Sequence, residues 1–323
     1  MPSPLVSIRD LSVSFAGLPA LRGVSLDVYP GEAVGLVGES GCGKSVTWLA
    51  ALGLLPAPAR IAGSVRLDQL ELLGAAPAVL DRVRGGRIAM IFQDPASALN
   101  PVHRIGRQVE EALRLHRGLT GPATRAEAKR LFDLVGIPDA ARRLDAWPHE
   151  MSGGQNQRVV IAMALAGGPE LLIADEPTTA LDATIQAQLL DLLRRLQAET
   201  GMALVLISHD LGVVADLCTR VAVMYAGRIV EQAPTAGLFA RPAHPYTRGL
   251  LAALPDMVGP RRRLEAIPGQ VPEPWNLPAG CAFAPRCALA GPDCAAGQPG
   301  WRRAGPHHLA ACLRVGGPEA VPA

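Results

Sequence analysis

An eight-residue stretch, Gly38-Glu39-Ser40-Gly41-Cys42-Gly43-Lys44-Ser45, lies between a short apolar run at 33–37 and a helix expected over 46–55, which ends at Pro56. No other stretch constrains the fold as strongly. In such a loop the glycines let backbone N–H groups converge on phosphate oxygens, and the following helix turns its positive end toward them. The pattern predicts an α/β domain with the loop at the edge of a mostly parallel sheet. Lys44 is then placed to reach the β- and γ-phosphates of a nucleotide, and the Ser45 hydroxyl to bind Mg²⁺. Glycine-rich strand-to-helix turns also serve packing alone, but here both flanks satisfy the phosphate reading. Cys42 reads as a small residue tolerated inside the loop rather than a redox group. Of 31 basic residues only Lys44 and Lys129 are lysine. A chain that otherwise uses arginine keeps the compact ammonium where a phosphate loop needs it.

The rest of the 323 residues follows the same class. Strands are expected over 6–15, 24–28, 63–68 and 87–92, with Gly17 and Pro30-Gly31 as turns and a helical turn at 78–83. Helical periodicity takes over at 105–115 and 124–135 and lasts to Pro148-His149-Glu150-Met151. Alternation then resumes: helix 155–166, strand 171–175, helix 183–199, strand 203–208, helix 211–217 and a hairpin across 221–230. Beyond about Pro255 proline, glycine and cysteine replace periodicity, so domains are expected at 1–255 and 256–323. The longest apolar runs fall far short of the ~18 residues that span a bilayer. No charged-then-apolar leader follows Met1, so cytoplasmic residence is expected. A net charge of +2 argues against a general nucleic-acid binder.

Further segments can complete a phosphate site. The strand 171–175 ends in Asp175-Glu176, delivering Asp175 to the sheet edge where ligands bind in open α/β folds. Asp175 suits the Mg²⁺ shell, and Glu176 is placed to polarise an attacking water. Two acids after a strand can equally be a surface cap; after a phosphate loop that reading recedes. His209 ends the strand at 203–208 and can sense the γ-phosphate, while Gln93 follows the strand at 87–92 and can reach the metal. Ser152-Gly153-Gly154-Gln155 opens a helix and offers a second anion seat of backbone N–H groups and a hydroxyl. An ordinary helix cap is the plainer reading. A second phosphate seat in a chain that already has one calls for explanation.

Taken together, residues 5 to 255 resemble an ATP-binding cassette (ABC) ATPase. The family's Walker A, Q-loop, signature, Walker B, D-loop and switch histidine match Gly38 to Ser45 (with Val46 following), Gln93, Ser152 to Gln155, 171–176, Ala180-Leu181-Asp182 and His209. Phe15 matches the aromatic that stacks on adenine, though a core aromatic would be spaced the same way. Met151 stands where the family usually has leucine. The resemblance implies a RecA-like core with an antiparallel β subdomain and a helical subdomain at about 95–157, whose block from Asn100 to Glu150 would dock on the membrane subunits. It also implies head-to-tail pairing with a second cassette, so that each signature closes the other's ATP.

Phe92-Gln93-Asp94-Pro95 with Ser97, Leu99-Asn100-Pro101, His244-Pro245-Tyr246-Thr247, Ile267-Pro268-Gly269, Pro278 to Cys281 and Phe283 to Cys287 resemble the oligopeptide/dipeptide (and nickel) importer ATPases. That subgroup implies a partner cassette, expected to be a paralogue, two permease subunits, an indirect solute-binding protein, no nucleic acid, and a place at the cytoplasmic face of the membrane. Peptide and nickel remain alternative cargoes. A soluble cassette acting on DNA or ribosomes is a more distant alternative, since this chain has one cassette and no long heptad run. A mainly regulatory subunit is another, though every motif is intact.

Cys281, Cys287, Cys294 and Cys312 fall in the proline- and glycine-rich tail with gaps of five, six and seventeen residues. Disulfides are not expected in a reducing compartment. Zinc favours closer pairs, whereas irregular gaps suit a 4Fe–4S cluster held by four thiolates, which some members of the subgroup carry. Zinc and four free thiols stay as alternatives.

Overall fold

The computed structural model describes residues 3–179, 182–254 and 266–316. It opens with β1 (Val6–Phe15), β2 (Leu18–Val28), β3 (Ala33–Val37) and α1 (Lys44–Ala51). Then come β4 (Ala59–Leu67), β5 (Leu70–Glu71), α2 (Pro77–Val83), β6 (Ile88–Ile91) and α3 (Pro95–Ala98). The helical stretch continues with α4 (Ile105–Arg117), α5 (Pro122–Leu134), α6 (Ala140–Arg143) and α7 (Gly153–Leu165). After it run β7 (Leu171–Asp175), α8 (Ala183–Thr200), β8 (Ala203–Ser208), α9 (Leu211–Leu217), β9 (Arg220–Tyr225) and β10 (Arg228–Pro234). The chain finishes with α10 (Thr235–Ala240), α11 (Pro245–Ala252), β11 (Arg302–Gly305) and β12 (His308–Ala310).

The larger sheet runs β11-β12-β10-β9-β3-β8-β7-β6, with β3 paired in parallel to both β8 and β9. Every residue of β3, β7 and β8 is buried. Because side chains alternate across a strand, these continuous apolar runs feed two cores at once. Leu172, Ala174, Leu204 and Leu206 point into one, with the helical stretch and Phe132. Leu171, Ile173, Val205 and Ile207 point into the other, with Trp48 of α1 and the smaller antiparallel sheet β2-β1-β4-β5. The loops after β3 and β7 therefore emerge at one edge of a sheet clamped on both faces, with β8 between their strands.

Several boundaries differ from those expected from periodicity, each for a local reason. Helix α1 begins at Lys44, not 46, because Gly43 takes a left-handed N-cap conformation with φ of 102°. Strand β2 begins at Leu18, since Ala16 and Gly17 both adopt positive φ and close a tight hairpin that pairs Phe15 with Leu18. Helix α11 is absent from the periodicity reading, although its start carries a cap signal: His244 Nδ1 accepts a hydrogen bond from Tyr246 N at 3.1 Å, with Pro245 in the first turn. The bond requires an unprotonated Nδ1, and burial accordingly pulls the His244 pKa down to about 4.

The boundary expected at 255/256 falls outside the described residues. The tail beyond it does not form a layer of its own. Strand β12 pairs with β10 through Glu231 and Ala310, so the tail extends the main sheet, and β11 follows at the edge. Fully buried Glu231 fastens this junction, accepting from Ala243 N at 2.7 Å and His244 N at 2.9 Å, with His308 Nε2 at 2.6 Å. A buried carboxylate persists only when its oxygens are satisfied in this way. An open strand edge at β10 takes the nearest extended segment as its partner.

Candidate functional site

Three glycines shape the loop between β3 and α1. Gly38 has φ of 153°, and a Cβ there would lie 2.3 Å from the Met224 carbonyl oxygen. Gly43 has φ of 102°, and its Cβ would come within 2.6 Å of a Leu21 methyl. A side chain at 38 collides with a fixed carbonyl, and at both positions the positive φ strains any residue but glycine. Lys44 is buried, and its Nζ donates to Gly38 O at 2.7 Å and Glu39 O at 3.1 Å. Cys42 is buried as well, and burial pushes its thiol up, away from reactivity.

Asp175 ends β7 next to this loop. Its carboxyl is pushed up because it is buried and lies beside Glu176; the Ser45 hydroxyl, which donates to it, and Lys44 pull the other way. Among the described residues no group of three or more His, Cys, Asp or Glu side chains is arranged to hold a metal ion. Magnesium is usually bound through one or two protein oxygens, with waters and substrate phosphates completing the shell. Ser45 and Asp175 offer such a pair of hard oxygen donors.

One residue on, Glu176 adopts φ of 48°, a left-handed conformation rare for a non-glycine residue, with its N–H bonded to Ile207 O at 2.9 Å. Strain of about 1–3 kcal/mol at such positions tends to mark sites where a side chain must point somewhere specific. Here the carboxylate gathers three groups. His209 Nδ1 lies 3.2 Å from Oε1, Gln93 Nε2 donates to Oε2 at 3.3 Å, and Thr179 Oγ1 donates to Oε2 at 3.1 Å. His209 is largely exposed. The fold thus brings Gln93, Glu176 and His209 together from the ends of three adjacent strands. Thr179, which periodicity does not single out, joins them because the turn after β7 folds back on Glu176.

Ser152 to Gln155 is not part of this cluster. Ser152 Oγ accepts from Gln155 N at 3.3 Å, and Gln155 Oε1 accepts from Ser152 N at 3.1 Å, a reciprocal cap that opens α7. Ser152 and Gly153 are exposed. Phe15 stands half-buried at the end of β1, packed against the core that holds Trp48. Of the expected D-loop, Ala180 and Leu181 lie outside the described residues, and Asp182 caps α8 by accepting from Ile185 N at 3.0 Å.

The outer turn of the phosphate loop meets residues from far along the chain. Glu39 N donates to Tyr246 Oη at 2.9 Å, and Arg286 forms a two-pronged ion pair with the Glu39 carboxylate at 2.8 and 3.0 Å. Both partners belong to motifs that mark a subgroup in the sequence without suggesting a role. A cleft of about 530 Å³ separates Ser40 and Gly41 from the tail at Gly269, Pro272 and Pro274.

Comparison with known proteins agrees with this geometry. Residues 21–179 match the family model described as ABC transporter, and residues 230–294 match the oligopeptide/dipeptide transporter C-terminal region. A Brucella abortus chain named as a peptide import ATP-binding protein is 52% identical over 302 residues, 92% of this chain and 91% of that one. The oligopeptide transport ATP-binding protein OppD of Mycobacterium tuberculosis is 49% identical over 319 residues, covering 97% of this chain and 52% of its own length. Among solved structures, a dimeric ATP-binding cassette in a post-hydrolysis state bound to ADP and Pi superposes with a TM-score of 0.63 at 28% identity, over 71% of this chain and 98% of that one. The cbiO1 protein of Clostridium perfringens, part of the transporter complex cbiONQ, gives 0.64 at 27% identity, over 74% and 91%.

Proposed function

The chain belongs to the ABC transporter family, in the group with the oligopeptide/dipeptide transporter C-terminal region, and on that premise we propose that it is the ATP-hydrolysing subunit of a peptide importer. The observation that carries the catalytic half is the Glu176 carboxylate held by Gln93, Thr179 and His209 beside the phosphate loop. Lys44 and the loop amides offset the charge of the β- and γ-phosphates, and Glu176 polarises water for in-line attack on the γ-phosphorus. His209 and Gln93 orient Glu176 and would reach the γ-phosphate and the metal shell. Ser45 and Asp175 would hold Mg²⁺, which supplies positive charge to the phosphate oxygens. Positioning and electrostatics carry this reaction, since phosphoryl transfer asks for little covalent work from the protein.

Exposure of Ser152 and Gly153 leaves the signature open to a second cassette, for which we propose a paralogue whose ATP it would close. Phe15 supplies the adenine-facing side. Among the described residues no helix is long and apolar enough to cross a membrane. The helical block at 100–150 would dock against separate permease subunits from the cytoplasmic face. A solute-binding protein would feed them. The test is reconstitution of the full chain with its co-purifying membrane subunits in vesicles. MgATP-dependent accumulation of labelled peptide is the expected result; nickel accumulation without peptide overturns the cargo.

We propose in addition that the tail holds a 4Fe–4S cluster, although among the described residues no group of three or more His, Cys, Asp or Glu side chains is arranged to hold a metal ion. Cys281, Cys287, Cys294 and Cys312 lie close enough to interact electrostatically. Backbone N–H groups of Phe283 and Ala284 donate to the Cys281 thiol, and Arg314 Nη2 lies 3.6 Å from the Cys294 sulfur. The backbone donors pull the Cys281 thiol down, but burial outweighs them and holds Cys281 and Cys312 above the ordinary thiol value. The buried Arg22 Nη2 lacks a hydrogen-bond partner, and its guanidinium lies within electrostatic range of Cys281, as a counter-charge to an anionic group would. The four cysteines would hold the cluster, which would add a covalent staple to a segment poor in apolar periodicity. Anaerobically purified chain is expected to contain iron and acid-labile sulfide; colourless, iron-free protein removes the cluster.

A further inference from the structure

We propose that Arg286 is a positioning residue for the nucleotide: by holding Glu39 it sets the shape of the phosphate loop, so the tail governs how tightly the chain binds MgATP. This rests on the ATP reading above and adds what the tail does to that site.

Arg286 is 4% exposed in its side chain, and each of its donor nitrogens is engaged. Nε donates to Pro268 O at 2.8 Å, Nη1 to Glu39 Oε2 at 2.8 Å and Tyr225 Oη at 3.4 Å, and Nη2 to Glu39 Oε1 at 3.0 Å. Its carbon lies 5.8 Å from the Tyr225 ring centre and 6.0 Å from that of Phe283. Those rings pack with Tyr246 at centroid distances of 4.6 to 5.4 Å, so the guanidinium sits in a rigid aromatic frame. A fork-to-fork pair of this kind fixes direction as well as distance, which a lysine cannot reproduce.

Glu39 is the residue through which that rigidity reaches the phosphate loop. Its amide is committed to Tyr246, its carboxylate to Arg286, and its carbonyl accepts from Lys44 Nζ at 3.1 Å. Moving the Glu39 side chain therefore moves the carbonyl that locates the phosphate-binding ammonium. An exposed ion pair would contribute little to anything. This one is bidentate and largely shielded, it joins positions 247 residues apart, and one end lies in the second residue of the loop. Small displacements of a group that positions a ligand are enough to change how tightly the ligand is held.

The experiment is calorimetric titration of the full chain with MgATP, followed by turnover in the assembled transporter. Arg286→Lys and Glu39→Gln are each expected to weaken MgATP binding about tenfold, the equivalent of about one charge-assisted hydrogen bond. The double variant should bind no more weakly than the worse single, because both changes break one link. KM for ATP should rise while kcat stays within about twofold, since the Glu176 cluster is untouched. If Arg286→Lys does not fold, Glu39→Gln carries the test, its side chain being partly exposed and the amide nearly isosteric. Parent-like affinity in Glu39→Gln, or losses that multiply in the double variant, overturns the proposal while leaving the ATP reading intact. A parent chain that does not bind MgATP sinks that reading, and this proposal with it.

Discussion

A Glu176→Gln chain is expected to bind MgATP within about twofold of the parent while its turnover falls by about 10²–10⁴-fold, the range usual for removing a general base. Gln keeps the volume and can still accept from Gln93 and Thr179, which bond to Oε2. It cannot take a proton, and its amide nitrogen meets either His209 Nδ1 or the two donors at Oε2 in place of an acceptor. The phosphate loop and Lys44 make no hydrogen bond to Glu176, so the ground-state grip on phosphate survives. The measurement pairs nucleotide binding with phosphate release in the assembled transporter. Turnover within threefold of the parent would remove Glu176 from the role of base.

The second large effect is at Lys44. Lys44→Met preserves the length of the apolar stem but deletes the ammonium, and MgATP affinity is expected to fall about 100-fold, as loss of strong hydrogen bonds to a charged ligand would give. Two costs act together. The phosphates lose their principal cation, and the carbonyls of Gly38 and Glu39 lose the donor now at 2.7 and 3.1 Å. Calorimetry of the folded variant checks this. Lys44→Arg should not rescue binding, because a planar fork does not fit a buried niche built around a compact ammonium. Full recovery with arginine would show that charge alone, without shape, decides the site.

Much of this site was legible in the amino-acid order because its parts lie at the ends of short, continuously apolar strands. Such runs announce themselves: 33–37, 171–175 and 203–208 coincide with β3, β7 and β8. Whatever follows them must emerge at one sheet edge, which is why Lys44, Asp175, Glu176 and His209 could be grouped before any contact was known. Thr179 escaped because nothing in a Pro-Thr-Thr turn says which hydroxyl folds back on the carboxylate. The short elements α10, α11, β11 and β12 escaped as well, since three to eight residues carry too little periodicity to register.

Residue order alone settled the strand-to-helix phosphate loop, the alternation that makes a parallel sheet, and the inventory of polar groups available at its edge. These depend on local spacing, and local spacing is written along the chain. Only the tertiary structure decided that Arg286 and Tyr246 hold Glu39, that Glu231 staples the tail to β10, and that the tail joins the main sheet. Those links join residues up to 247 positions apart. They exist because a buried guanidinium and a buried carboxylate must each find a partner once the chain is compact, and no periodicity records which partner lies within reach.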